Sequence, residues 1–264
     1  MDDEDRETIP TPQSTRRNFA RVATIIAATG LAGAMALKPK KAAADVSRVA
    51  CFLKSTRIRT ADGEVAVEAL KIGDLLPTKF NGLQPVKWIG RYRLKRDDPR
   101  KPWATAARPV RLARGALADN VPASDLYLSR NHAVMIDDVL VQVGSLVNGT
   151  TIIFDAAEGL DQLEYFHIKL ASHDVITAEG APCETLLIVD ETHTNFAEYF
   201  RLYDEPAAAE QSCLPNLSCN ARRDALKSRL RSATAYWVDR RQKIDLIRDR
   251  LEERGIALVG ASQT

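Results

Sequence analysis

From Cys51 to about Val189, apolar residues recur largely at every second position, the period of a half-buried strand. Thr56, Ile58 and Thr60 alternate with Arg57 and Arg59. Asp62-Gly63 marks a turn, and Val65 and Val67 resume the period. Lys71 to Asp74 reads as a second turn and Asn81-Gly82 as a third. PVKWIGRYRL then places Val86, Trp88 and Gly90 on one face. RDDPRKPWATAAR, charged and holding two prolines, predicts a surface loop. PVRLARGAL, DLYLSRNHAVMI, VLVQVGSLV, TTIIF, LEYFHIKL and HDVITAEG have strand lengths, with Asp137-Asp138 as a tight connection. In LEYFHIKL, Phe166, Ile168 and Leu170 share one face, and Tyr165, His167 and Lys169 the other. Many short strands at close spacing predict an all-β body, sandwich-like or barrel-like.

Beyond this body the period changes. Residues 191–220, with the proline-containing stretch EPAAAEQSCLPNLSCN, predict a linker, and residues 221–264 a C-terminal helical region. Leu226, Leu230, Ala233, Trp237, Ile244, Ile247 and Leu251 recur at three- and four-residue steps, as on the apolar stripe of one helix. Asn220 is placed to cap its start and Gly255 its end. Eleven Lys and Arg lie between Arg222 and Arg254, but acidic residues are interspersed, which fits a solvated face rather than an anion-binding surface.

The first fifty residues have a different pattern. Arg16 and Arg17 precede an uncharged, Ala- and Gly-rich run from Val22 to Leu37, which is followed by Lys38, Lys40, Lys41 and Ala42-Ala43-Ala44. A basic region, a short apolar region and a small-residue site are the parts of an export signal. SerThrArgArgAsnPhe at residues 14–19 resembles a bacterial twin-arginine signal. The run of sixteen residues is shorter than the ~20 a membrane-crossing helix needs. Residues 1–44 are therefore expected to be a cleaved twin-arginine signal, leaving a periplasmic or secreted chain with no stable membrane span. A short segment, 45–50, would then precede the β body at 51–190.

Composition narrows the chemistry. Net charge is +2, so nothing calls for a nucleic-acid partner. The four cysteines, Cys51, Cys183, Cys213 and Cys219, do not make a disulfide lattice in a chain this long. Cys213 and Cys219 are close enough to pair after export. His167, His173 and His193 are scattered, no CxxC occurs, and neither a metal nor a cofactor is expected. Cys51 alone heads the β body. It is either a small buried hydrophobe or a nucleophile beside the Ala50 carbonyl.

Several motifs occur in order after it: CysPhe at residues 51–52, T-x-I-x-T-x-D-G from Thr56 to Gly63, VEALKIGD from Val67 to Asp74, VKWIG from Val86 to Gly90, an S-x-x-H box at Ser129 and His132, LVNGT, and EYFHIKLASHDVITAEG. Together they resemble the Hint family, the fold of hedgehog autoprocessing domains and inteins, in a bacterial branch. The resemblance implies a horseshoe- or disk-like all-β domain over 51–190. It also implies a mechanism in which the Cys51 thiol attacks the Ala50 carbonyl, giving a thioester. In that mechanism His132 transfers the proton, Ser129 holds the scissile peptide, and His173 assists later attack on the thioester. The substrate would be the chain's own N-terminal segment, and the second nucleophile is left open. Intein splicing further requires a His-Asn junction before Cys, Ser or Thr, and none follows the domain; His193-Thr194-Asn195-Phe196 has the wrong order. Cleavage at Ala50–Cys51 is thus the expected reaction. A cut there before export would also discard the signal. Cleavage is therefore suppressed until export, serves as a second maturation cut, or has been lost. In the last case the chain is a catalytically silent exported β-domain acting as a binding module. Asp74 is expected to be a turn residue and Trp88 a core residue.

Overall fold

The computed structural model describes residues 49–96, 98–187, 196–203, 211–218, 222–236 and 239–261. Expectations that fall on the leader, Asn220, Trp237, His193 and Cys219 lie outside the described residues.

The strands follow in chain order: β1 (Phe52–Leu53), β2 (Arg57–Thr60), β3 (Gly63–Ala66), β4 (Leu75–Thr78), β5 (Gly82–Pro85), β6 (Trp88–Lys95), β7 (Val110–Leu112) and β8 (Leu126–Leu128). After these come β9 (Ala133–Ile136), β10 (Val139–Gln142), β11 (Ile152–Phe154), β12 (Gln162–Lys169), β13 (Val175–Ala178), β14 (Ala181–Glu184) and β15 (Asn216–Leu217). The period-two reading is borne out: β2 alternates exposed and buried residues, and Ile58 is wholly buried. Thr60 closes the Asp62-Gly63 turn, accepting the Asp62 N–H at 3.2 Å and donating to the Gly63 carbonyl at 2.9 Å. Asp137 and Asp138 turn the β9–β10 hairpin with φ of 50° and 58°, a left-handed backbone that Asp tolerates. Asp74 is a turn residue, accepting the Lys71 N–H at 2.8 Å, and Trp88 is buried.

The strands form two large sheets and one two-stranded sheet. The first has the order β11-β7-β8-β1-β12-β6, the second β15-β10-β9-β14-β13-β2-β3, and β4 pairs with β5. Phe52, Leu128, Phe166 and Ile168 of the first sheet and Ile58, Val134, Val141 and Ile176 of the second share one apolar core. A second cluster gathers Val49, Cys51, Trp88, Trp103, Tyr165 and Leu186 around the start of β1. Trp103 explains why the predicted loop after β6 is not fully solvated: its ring is buried and its Nε1 donates to the Leu160 carbonyl at 3.0 Å.

The C-terminal region departs from expectation in three ways. The stretch expected as a linker contributes α1 (Ala197–Leu202) and β15. Phe196 and Tyr199 pack against the Trp88 ring at 5.6 and 5.5 Å, and β15 extends the second sheet in parallel to β10. The single helix expected from Arg222 to Arg254 is two, α2 (Arg222–Thr234) and α3 (Lys243–Ala261). The break has a local cause. The Asp245 carboxylate accepts the Gln242 N–H at 2.8 Å, as the third residue of a capped helix does, so a new helix starts there. Arg231 of α2 reaches back to Asp245 at 2.5 and 2.9 Å and joins the two helices. Leu226 and Leu230, expected on the buried stripe, are 60% and 56% exposed, whereas Ile244, Ile247 and Leu251 enter the main core. Third, Gly255 does not end the helix. It lies within α3, where a Cβ would stand 2.5 Å from Thr150 Oγ1, so glycine permits the close approach of α3 to that loop.

Candidate active site

The strand registers build the site. β1 is flanked by β8 and β12, with Phe52 opposite Leu128 on one side and Phe166 on the other, both antiparallel. One residue back along β1, Cys51 therefore lies between Ser129 and His167. The hydrogen bonds follow. The Cys51 N–H donates to Ser129 Oγ at 3.0 Å, and the Ser129 N–H donates to the Cys51 carbonyl at 3.0 Å. Ser129 Oγ in turn donates to the Val49 carbonyl at 2.7 Å. His167 Nδ1 meets the Ala50 carbonyl oxygen at 2.9 Å. The carbonyl has no proton, so Nδ1 is the donor in this contact. Both ends of the Ala50–Cys51 peptide are thus held by side chains, the N–H by Ser129 and the C=O by His167.

The Cys51 side chain is wholly buried, and its thiol donates to the Val49 carbonyl at 3.2 Å. Burial drives its pKa well above the usual thiol range, and the nearby Ser129 hydroxyl only partly offsets this. The resting group is a thiol, not a thiolate. His132 is brought in by the turn after β8, where its N–H donates to the Ser129 carbonyl at 3.0 Å. Its ring meets Phe52 edge-on at 4.4 Å, and its two ring nitrogens are buried with no hydrogen-bond partner among the described residues. Burial lowers the His132 pKa, opposed by the Glu184 charge and by the backbone of Cys51 and Glu184. A histidine lowered from 6.5 is neutral at neutral pH.

Three of the four residues singled out from the sequence, Cys51, Ser129 and His132, come together. His173 does not join them at the peptide. Its Nδ1 accepts the Cys213 N–H at 3.1 Å, and its Nε2 lies 3.6 Å from Glu184. The sequence reading missed His167. Its signal was a polar residue on the Tyr165, His167, Lys169 face of a strand otherwise rich in apolar residues. Space for its ring comes from the neighbouring strand, where Gly90 pairs with His167 and a Cβ on Gly90 would fall 2.9 Å from His167 Cδ2. Phe196 stacks beside the same ring, 5.3 Å between centroids. Among the described residues no group of three or more His, Cys, Asp or Glu is placed to hold a metal ion.

The fold and this geometry define a class: a β-rich domain whose first cysteine is buried with its preceding peptide bond held from both ends. The family model of the Hint domain matches residues 50–190, and the chain belongs to that family. Among solved structures, the chain is similar to the gp41-1 intein, with 14% identity over 51% of this chain and 97% of that one, at a TM-score of 0.36. An intein-like domain from Clostridium thermocellum gives 16% identity over 51% and 97%, also at a TM-score of 0.36. A DnaB intein from Synechocystis gives 10% identity over 52% and 98%, at 0.34. No curated protein matches the chain.

Proposed function

We propose that this Hint domain cleaves its own chain at Ala50–Cys51 through a thioester, without splicing. The observation that carries the reading is the hold on the scissile peptide, His167 on the Ala50 carbonyl and Ser129 on the Cys51 N–H. In the first step Sγ attacks the Ala50 carbonyl carbon and the carbonyl oxygen becomes an oxyanion. His167 Nδ1–H already points at that oxygen, so it stabilises the charge with little reorganisation. The C–N bond then breaks, and its electron pair goes to the Cys51 nitrogen. The thiol proton moves to His132 and from there to that nitrogen, leaving a thioester and a free amine. Attack on the thioester by water or an added thiol releases the N-terminal segment. Covalent adjacency of Sγ and the Ala50 carbonyl keeps the entropic cost of attack small.

The resting state holds the reaction back. The thiol is protonated by burial and engaged with Val49, so attack needs it to turn from that carbonyl toward Ala50. The same observation favours the second reading, a silent binding module in which Cys51 is only a core residue. Arg16 and Arg17 support export to the periplasm or beyond, where a slow cut would follow rather than precede translocation. The experiment is an intact-mass time course of the purified chain with excess thiol near neutral pH. A fragment beginning at Cys51 is expected, absent in Cys51→Ala and His132→Ala proteins that fold like the parent. A parent chain that stays uncut for days would leave the silent module as the function.

A further inference from the structure

The region behind His132 contains a buried carboxylate that the cleavage chemistry does not use directly. Glu184, on β14, is 5% exposed, and its Oε1 accepts the Ala133 N–H at 2.7 Å, from the residue next to His132. Its other oxygen faces His173 Nε2 at 3.6 Å. His173 Nδ1 accepts the Cys213 N–H at 3.1 Å, so in the neutral ring the proton sits on Nε2, toward Glu184. His132, Glu184 and His173 are all buried.

A carboxylate at this depth is costly unless its charge is used. A glutamine would accept the same Ala133 N–H without a charge. The groups that act on His132 come from three places: Cys51 at the head of β1, Glu184 on β14, and His173 in the turn between β12 and β13. Of these, Glu184 alone is a carboxylic acid, and its charge favours the protonated His132 ring. Neither His132 ring nitrogen has a hydrogen-bond partner among the described residues, and the Glu184 charge is the largest influence favouring the protonated ring, ahead of the nearby backbone of Cys51 and Glu184.

We infer that Glu184 is a positioning residue of the site: its carboxylate, seated on Ala133 N–H and backed by His173, stabilises the His132 ring while that ring carries the proton from Sγ to the Cys51 nitrogen. This deepens the autoprocessing reading and rests on it. It gives His173 a place as the support of Glu184 rather than as a group at the thioester. The proton passes from sulfur to imidazole to nitrogen, and Glu184 neither gains nor loses one.

The test has two arms. In the full chain carrying Cys51→Ala, which cannot cleave, the His132 ring is titrated by imidazole NMR. Glu184→Gln keeps an oxygen acceptor for Ala133 and removes the charge, and it should lower the midpoint by on the order of one pH unit. Glu184→Asp keeps the charge and should leave the midpoint within about 0.3 units of the parent. In the chain with Cys51, Glu184→Gln should slow thiol-induced cleavage on the order of tenfold and move its acid limb to lower pH. A purely structural role would shift the melting temperature but leave both the titration and the limb in place. An unchanged His132 midpoint in folded Glu184→Gln overturns the inference. Should that variant not fold, a Glu184→Asp midpoint displaced to lower pH, despite the retained charge, overturns it instead. If the parent never cleaves but the midpoint moves, the autoprocessing reading fails and the link between Glu184 and His132 stands.

Discussion

His167 is placed where charge would develop. A hydrogen bond to a ground-state carbonyl at 2.9 Å gains strength when that oxygen becomes an oxyanion in a site closed to water. His167→Ala should therefore lower the rate of thiol-induced cleavage about 10²- to 10³-fold while circular dichroism stays that of the parent. An unchanged rate would mean that the contact only packs the ring. Cys51, Ser129 and His132 were legible in the sequence because a short motif at fixed spacing carries them. His167 was not, because the carbonyl it meets is 117 residues away, and only the pairing of β1 with β12 brings the two together. The strand alternation marked its face but not what that face would meet. The surroundings of His173 were hidden for the same reason, since its partners Cys213 and Glu184 come from other strands and loops.

At the level of elements, β6, β12 and β1 act as one device. β12 aligns His167 with the Ala50 carbonyl, and β6 leaves room for it by presenting glycine at its pairing partner. Gly90 carries no side chain because a Cβ there would lie 2.2 Å from the Trp88 ring and 2.9 Å from the His167 ring. Neither ring has freedom to retreat, with Phe196 packed against both. Gly90→Ala should cost about 1–3 kcal/mol by overpacking, read by chemical denaturation. It should also slow cleavage by more than its stability loss explains, because the ring it displaces holds the carbonyl. Equal cleavage rates at matched fraction folded would separate packing from positioning and remove this account. The period of two made these strands readable from sequence, whereas the helical end was read less well. A three- and four-residue period ran through Leu226 and Leu230 into Ile244 without marking the cap at Asp245 that divides α2 from α3.

Across the molecule, buried acids join segments far apart in the chain. Asp174 accepts from the Phe80 and Asn81 N–H groups at 3.1 Å each and so fastens the β4–β5 hairpin to β13. Glu164 does the same at the first sheet. It is 4% exposed, and its carboxylate takes hydrogen bonds from Arg91 and Arg93 of β6, with Lys54, just past β1, at 3.7 Å. Hydrogen bonding from Arg91 is the largest influence on its pKa. Burial opposes it and Arg93 adds to it, so the value falls from 4.5 to about 2. A carboxylate depressed in the folded state stabilises the fold fully above its unfolded pKa, and the contribution is lost as protons bind. For Glu164 that loss runs from about 4.5 down to about 2, so the strands flanking the Ala50–Cys51 peptide are held firmly at neutral pH and loosened in acid. Glu164→Gln should lower the melting temperature at pH 7 and flatten its fall between those pH values. The two proteins should converge near the acid end, where the parent's carboxylate is also protonated. Parallel melting curves across the whole range would show that the arginines, half-exposed to solvent, screen the pair so well that it contributes nothing. The β1–β12 pairing would then rest on its backbone hydrogen bonds and the apolar core.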